Sequence, residues 1–395
     1  MMPEQRLLLV VSDGVRPDVL REEIDAGRVP TLAALRARGG LHEVTTSFPS
    51  VTGPAYVPFL MGRHPSRVGL PGLRWFDRAR TLRWARAQTR SYAGIDIWHV
   101  DRDVQRDAPT LFELARPSLA AMSMLGRGAS HGHVGRSVLW MIRAAPVHFG
   151  GNVRAWRALE QSATRDFLNR FARIRPKASV IALTSPDKFA HAFGSRADVV
   201  RTAILDLDAL VRQALEIARR GGWDDGLHVW MVGDHGHQPV THHDDLHGWL
   251  DAQGLRTLAH PSLGVRNPDV VLMVGGNAMA HLYLTPSERQ RRWWPEHAPQ
   301  SQRLLESLLL RESTDLLATA ESADVVHLWS ARHGMAEIRR SGTGPSMRWS
   351  YLPCSGDPLQ LGGALRALDL SSAWQATRDT RYPDAIVQVS DLVPA

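Results

Sequence analysis

An α/β fold with a mostly parallel central sheet, helices on both faces and a smaller α+β subdomain is what this sequence predicts, on three observations. Three apolar strand-like runs, RLLLVVS, ASVIALT and LHVWMVG, each end on an aspartate: Asp13, Asp187 and Asp234. The stretch 196–220 repeats apolar residues three and four apart, through Val200, Ala203, Ile204, Leu207, Leu210, Val211, Ala214, Leu215 and Ala218, which is the single buried stripe of a helix. That helix falls between the second and third runs, where a parallel pair needs its right-handed crossover.

The remaining elements follow along the chain. After Asp13, residues 17–38 read as two short helices divided by Pro30, the second closed by Gly39-Gly40. LHEVTTS at 41–47 reads as a strand, and SFPSVTGPAYVPFLMG at 47–62 as a short helix starting near Thr52 and stopped by Gly62. Residues 78–118 are irregular, ending in a loop and a helix; LAAMSML at 119–125 is a buried strand, and 153–174 carries a helical pattern. GRGASHGHVGR lacks the Lys-Ser/Thr end of a P-loop. Beyond 250, VVLMVGG and MAHLYL are strands, 286–318 is helical, VVHLW and AEIRR are short strands, and IVQVSDLVPA is strand-like. Residues 1–250 are expected to form a metal-binding core and 251–395 the C-terminal part of the same domain, with a small cap-like subdomain.

Composition narrows the function classes. A chain of 395 residues with 44% hydrophobic and 22% charged residues is globular, with a sizeable core. It has no apolar run of 18 residues, so no membrane span is expected. The net charge of +7 is nearly all arginine spread along the chain, with two lysines and no basic block, which argues against a nucleic-acid partner. One cysteine, Cys354, permits no internal disulfide, and the N-terminal apolar run is too short for a signal peptide, so a cytoplasmic location is expected. Oligomeric state is not legible.

The chemistry-bearing residues gather at the strand ends. Parallel strands present their carboxyl ends along one sheet edge, where ligands bind, so Asp13, Asp187 and Asp234 should converge. Asp187 and His191 are four apart, one face of a helical turn, while Asp234 and His235 are adjacent between glycines that let a loop point both inward. An acid after a strand also serves as a helix cap, but three in chain order with imidazole company suit a divalent ion, Zn²⁺ first. Such a site activates a hydroxyl, here Thr52, with Ser47 and Ser50 as rivals. At a helix N-terminus, Thr52 and the amide of Gly53 would favour an alkoxide and a bound phosphate, although Thr52 could equally cap the helix for about 1 kcal/mol. Trp75, Phe76 and Trp98 could stack on a leaving group or serve as packing.

These segments resemble the alkaline phosphatase superfamily and, within it, the type I phosphodiesterase and nucleotide pyrophosphatase branch. VTGPAYVPFLMGRHPSRVGLPGLRWFD (51–77) is similar, without gaps, to the nucleophile region. VSDGVRPD (11–18), SPDKFAHAFG (185–194) and GDHGHQP (233–239) resemble the metal motifs, in the family's order. The resemblance implies an alkaline phosphatase-like fold and selects Thr52 over Ser47 and Ser50. It also implies two zinc ions, one held by Asp13, Thr52, Asp234 and His235, the other by Asp187, His191 and a further downstream histidine. The implied activity is hydrolysis of a small phosphorylated substrate, as a phosphodiesterase working through phosphothreonine. Alternatives are a phosphomonoesterase or phosphonate hydrolase of the same superfamily, or a catalytically impaired binder of a phosphorylated ligand. A sulfatase would need Cys or Ser as nucleophile with arginine four residues on, where this chain has Thr52 and Tyr56.

Two departures stand out. The family's phosphate-binding asparagine falls at Leu73, with Arg74 beside it as a candidate replacement. The family's last zinc histidine sits in a C-terminal His-Gly motif that IVQVSDLVPA does not contain, and His242, His243, His247 and His333 offer no convincing equivalent. The expectation is therefore a missing C-terminal end and a second ion one protein ligand short.

Overall fold

The first apolar run forms strand β1 (Arg6–Ser12), whose last five residues are buried. Continuous burial of Leu8, Leu9, Val10 and Val11 means that both faces of the strand are covered, as parallel sheets require. The computed structural model describes residues 3–78, 88–261, 264–276, 278–288 and 290–394. By its contacts the chain divides into two units, Met1–Thr46 with Ser50–Arg63 and Tyr92–Pro239, and Ser47–Pro49 with His64–Ser91 and Val240–Ala395.

In the first unit, β1 is followed by helices α1 (Pro17–Asp25) and α2 (Pro30–Gly39), each begun by a proline, which suits the first helical turn. Strands β2 (Ser118–Ala121) and β3 (His133–Val134) come next, then helices α3 (Val138–Phe149) and α4 (Val153–Ile174). Strand β4 (Ala178–Leu183), helices α5 (Ser185–Phe193) and α6 (Asp198–Arg220), and strand β5 (Leu227–Val232) follow, with shorter helices in the connections. All five strands are parallel, in the order β3-β2-β4-β1-β5, and helices flank the sheet. The predicted stripe of α6 is buried, apart from the partly buried Leu215, in one core with Leu8, Val10, Ile181 and Leu183 of the sheet and Phe167 and Phe171 of α4. Because β4, β1 and β5 are neighbours, the runs ending at Asp187, Asp13 and Asp234 open side by side.

The second unit holds a two-stranded ribbon (Arg74–Phe76 with Thr89–Ser91) and a three-stranded sheet of Thr257–Ala259, Val270–Val274 and Ala280–Leu284. It also holds an antiparallel five-stranded sheet, Leu317–Ala320, Val325–Ser330, Gly334–Ser341, Arg348–Pro353 and Leu365–Leu368. Among the described residues, no helix is long and apolar enough to cross a membrane.

Several local expectations fail for physical reasons. IVQVSDLVPA supplies a helix, Ala385–Leu392, not a strand; its terminal Ala395 lies outside the described residues. Ile386 and Val387, with Ser390 and Asp391 one turn on, face inward, so packing on the five-stranded sheet overrides the β-branched composition. LHEVTTS forms no strand: Val44 is 82% exposed, and no neighbouring strand buries it. The 286–318 stretch is helical only over Trp294–Leu309, with Arg289 outside the described residues, as are 79–87 of the stretch expected to be irregular. LAAMSML is strand only as far as Ala121.

Candidate metal centre

The loop leaving β1 carries Asp13, fully buried, and its amide donates to Leu183 O of β4 at 3.1 Å. The loop leaving β5 carries Asp234, also buried, whose Oδ1 accepts from the Gly14 amide at 3.1 Å and whose backbone carbonyl accepts from the Thr46 hydroxyl. His235 Nε2 stands 3.5 Å from Asp13 Oδ1 and 3.3 Å from Asp234 Oδ2. The other ring nitrogen, Nδ1, is 3.1 Å from the Gly236 carbonyl. A carbonyl can only accept, so Nδ1 donates to it, which leaves Nε2 as the nitrogen that faces the two acids and would face a metal ion.

Thr52 completes this group. Its hydroxyl donates to Asp13 Oδ1 at 3.1 Å and lies 3.3 Å from His235 Nε2. Ser50 is exposed, and Ser47 belongs to the second unit. The anticipated helix begins two residues later than expected, as a single turn at Pro54–Tyr56 continued by Val57–Met61. Between Thr52 and that turn, Gly53 takes φ +96°, and a Cβ there would stand 2.1 Å from Met124 Sδ, so no larger residue fits this bend unchanged. Tyr56, which the sequence offered only as grounds against a sulfatase, is buried and donates to Asp13 Oδ2 at 2.8 Å. Asp13 thus has both carboxylate oxygens occupied.

Asp187 lies in the first turn of α5, and His191, one turn on, brings Nε2 to 3.3 Å from Asp187 Oδ1. His237, from the β5 loop, places its Nε2 2.9 Å from the same oxygen. His237 is not among the histidines expected from the sequence to serve this acid. Its signal was the spacing: residues two apart in an extended loop share a side, so His235 and His237 can both face inward. Arg74 sits on the second unit's ribbon with its guanidinium 3.3 Å from Ser91 Oγ, and Trp75 and Phe76 share that strand; Trp98 lies in the first unit.

The electrostatics are those of a cation site without its cation. Burial, reinforced by the charges of Asp234 and Asp187, drives the Asp13 carboxyl well above the ordinary range, and burial raises Asp234 to about 7. For Asp187, burial pushes upward too, but hydrogen bonds from His191 and His237 outweigh it and hold the carboxyl below the usual range. Among the described residues, neither Asp13 nor Asp234 pairs with an arginine or lysine, and Asp234 Oδ2 is buried without a hydrogen-bond partner. Crowded acids, an orphaned oxygen and an aimed imidazole fit a divalent ion. Among the described residues, ligand atoms cluster twice, as Asp13, Asp234 and His235 and as Asp187, His235 and His237, each set within 4.8 Å.

A parallel sheet with carboxylates and imidazoles at its carboxyl edge defines an α/β protein of the alkaline phosphatase superfamily. The sequence profile described as type I phosphodiesterase / nucleotide pyrophosphatase matches residues 7–335, and the chain belongs to this family. No curated protein matches it. Among solved structures, it is similar to phosphonoacetate hydrolase from Sinorhizobium meliloti 1021 in complex with phosphonoacetate, with 15% identity, a TM-score of 0.51, and 78% of this chain and 74% of that chain covered. The same enzyme with phosphonoformate gives 16% identity and a TM-score of 0.43 over 60% of this chain and 57% of that one. Murine ectonucleotide pyrophosphatase / phosphodiesterase 5, an inactive variant in complex with AMP, gives 17% identity and a TM-score of 0.42 over 59% of this chain and 57% of that one. The chain therefore spans little more than half the length of these last two relatives, and the likeness is one of fold.

Proposed function

We propose that the protein is a metal-dependent hydrolase of phosphoric esters, preferring diesters, with Thr52 as nucleophile and two divalent ions, zinc by ligand chemistry. The observation that carries this reading is the Thr52 hydroxyl set between Asp13 Oδ1 at 3.1 Å and His235 Nε2 at 3.3 Å, inside a cluster of buried acids. Divalent ions held by Asp13, Thr52, Asp234 and His235 and by Asp187 and His191 would supply Lewis-acid polarisation and ease deprotonation of the threonine hydroxyl. The chain's own groups do the rest. Asp13, pinned by Tyr56, fixes the hydroxyl's direction. Thr52 Oγ1 then bonds to phosphorus as the bond to the leaving alcohol breaks, and water later hydrolyses the phosphothreonine. Of the amides beyond Thr52, Pro54 has none and those of Ala55 and Tyr56 are spent on Val51 O and Gly53 O. That leaves Gly53 as the backbone donor for a phosphoryl oxygen, a contact typically worth ~3 kcal/mol in such sites. The substrate would be a small phosphorylated molecule, and the single cysteine, Cys354, fits a reducing, cytoplasmic setting.

The test compares a nitrophenyl phosphodiester with the monoester in zinc-loaded wild type and Thr52→Ala. Diester hydrolysis faster than monoester, falling by roughly 1,000-fold or more in the variant, is expected for loss of a nucleophile. Equal rates in the two proteins would remove Thr52 from the reaction, and a wild type that retains no divalent ion would sink the hydrolase reading.

A further inference from the structure

We infer that His237 is the third protein ligand of the ion at Asp187 and His191, so that this second centre is complete within the first unit and draws nothing from a C-terminal histidine. The inference rests on the two-ion reading above and deepens it. His237 Nε2 stands 2.9 Å from Asp187 Oδ1, and His191 Nε2 stands 3.3 Å from the same oxygen. In a tetrahedral zinc site, bonds of about 2.0–2.2 Å place neighbouring ligand atoms roughly 3.3 Å apart, so both imidazoles already sit at near-ligand spacing from the carboxylate. Their rings meet edge to face with centroids 4.7 Å apart, so the two imidazoles are direct neighbours beside Asp187.

The surrounding chain is built to hold His237 there. Arg16 Nη1 donates to the His237 carbonyl at 2.7 Å, and Arg16 is itself fixed by Asp18 through bonds of 2.9 and 2.8 Å. The DGVRPD segment thus anchors the loop that carries the imidazole. Gly14, in that segment, makes the room. A Cβ at Gly14 would stand 2.7 Å from His237 Nε2 and 2.9 Å from Asp187 Cα, closing the space where ring and acid meet. Packing alone gives no reason to keep this space for an imidazole nitrogen facing a carboxylate. The ligand set Asp187, His191 and His237, two nitrogens and one oxygen, leaves a fourth tetrahedral position for substrate or water.

The competing role for His237 is to orient Asp187 by a hydrogen bond. Magnitude separates the two, because losing an outer partner typically weakens metal binding 10–100-fold, and losing a ligand should cost more than about 100-fold. The experiment titrates zinc into chelator-stripped full-length protein by calorimetry and competition, with cobalt absorption as an independent reading of coordination. Wild type, His237→Ala, His237→Asn, His237→Cys and Asp13→Asn are compared. Two ions in wild type, a second ion weakened more than 100-fold in the alanine and asparagine variants, and its recovery in the cysteine variant with a thiolate-to-cobalt band are expected. Asparagine still donates to Asp187 but is a poor ligand, so an asparagine variant that keeps the second ion overturns the assignment, as does an alanine variant weakened less than 100-fold. A wild type that binds one ion, lost in Asp13→Asn and kept in His237→Ala, overturns His237 and leaves the hydrolase reading standing. A wild type that binds none overturns both.

Discussion

Gly14 and Gly27 share a backbone conformation, φ +69° and +70°, but not surroundings: a Cβ at Gly27 meets nothing within 4 Å. Alanine at either position incurs the left-handed penalty of about 1–2 kcal/mol and gains the same small benefit from a stiffer unfolded chain. Only at Gly14 does it also press on Asp187 Cα at 2.9 Å, which is backbone and cannot swing aside, and overpacking of this kind costs about 1–3 kcal/mol. Gly14→Ala should therefore be less stable than Gly27→Ala by about 1–3 kcal/mol, read from urea midpoints of the metal-free proteins at constant m-value. With zinc added the gap should widen, because Gly14→Ala crowds His237 while Gly27→Ala leaves it alone. Equal midpoints for the two variants would refute the claim that this glycine is present to make space.

Two further outcomes follow from the charges. In metal-free protein, Asp234 titrates near 7 instead of 3.8, so the protonated acid stabilises the fold fully below pH 4, and that contribution is lost as pH rises through 7. At about 1.36 kcal/mol per pH unit, the loss is on the order of 4 kcal/mol. Asp13 acts in the same direction, while the lowered Asp187 contributes above the ordinary carboxylate range and loses its effect only in more acid solution. The melting temperature of chelated protein should thus fall between pH 4.5 and 7.5, with a shallower slope in Asp234→Asn; a rise over that interval would contradict the account. In the second unit, the buried Asp391 accepts from Arg67 Nε at 2.8 Å and Arg340 Nη1 at 2.9 Å. Asp391→Ala should cost about 1–3 kcal/mol, chiefly by leaving the largely buried Arg340 without this partner, and an unchanged unfolding curve would show the cluster to be idle.

The parallel sheet and its acids were legible because both follow from local signals, apolar runs of strand length and a side chain at the end of each. The 3.6-residue stripe of α6 was equally plain, since burial along one face leaves a periodic trace. What the sequence hid depends on partners. The helix at Ala385–Leu392 has strand-like composition, and only the sheet it packs on decides its state. LHEVTTS has strand propensity but no neighbour to pair with, and its Thr46 bonds instead to the Asp234 carbonyl. His237 was hidden because its role depends on Asp187, fifty residues away, and Tyr56 because a tyrosine four residues past the threonine reads as apolar packing until Asp13 lies beside it.

The position of β1 within the sheet has a consequence for how the centre behaves in time. β1 is bonded on both sides, to β4 and β5, and Asp13 is bonded to Leu183 just beyond the last paired residue. Displacing that acid means parting the sheet at an interior seam, an opening on the scale of global unfolding and not of loop fraying. Asp13 is thus held by an interior strand, while Asp234 follows β5 at the sheet's edge and meets Asp13 across that pairing. Their mutual repulsion is overcome once, when the chain folds, and need not be overcome again each time a ligand arrives.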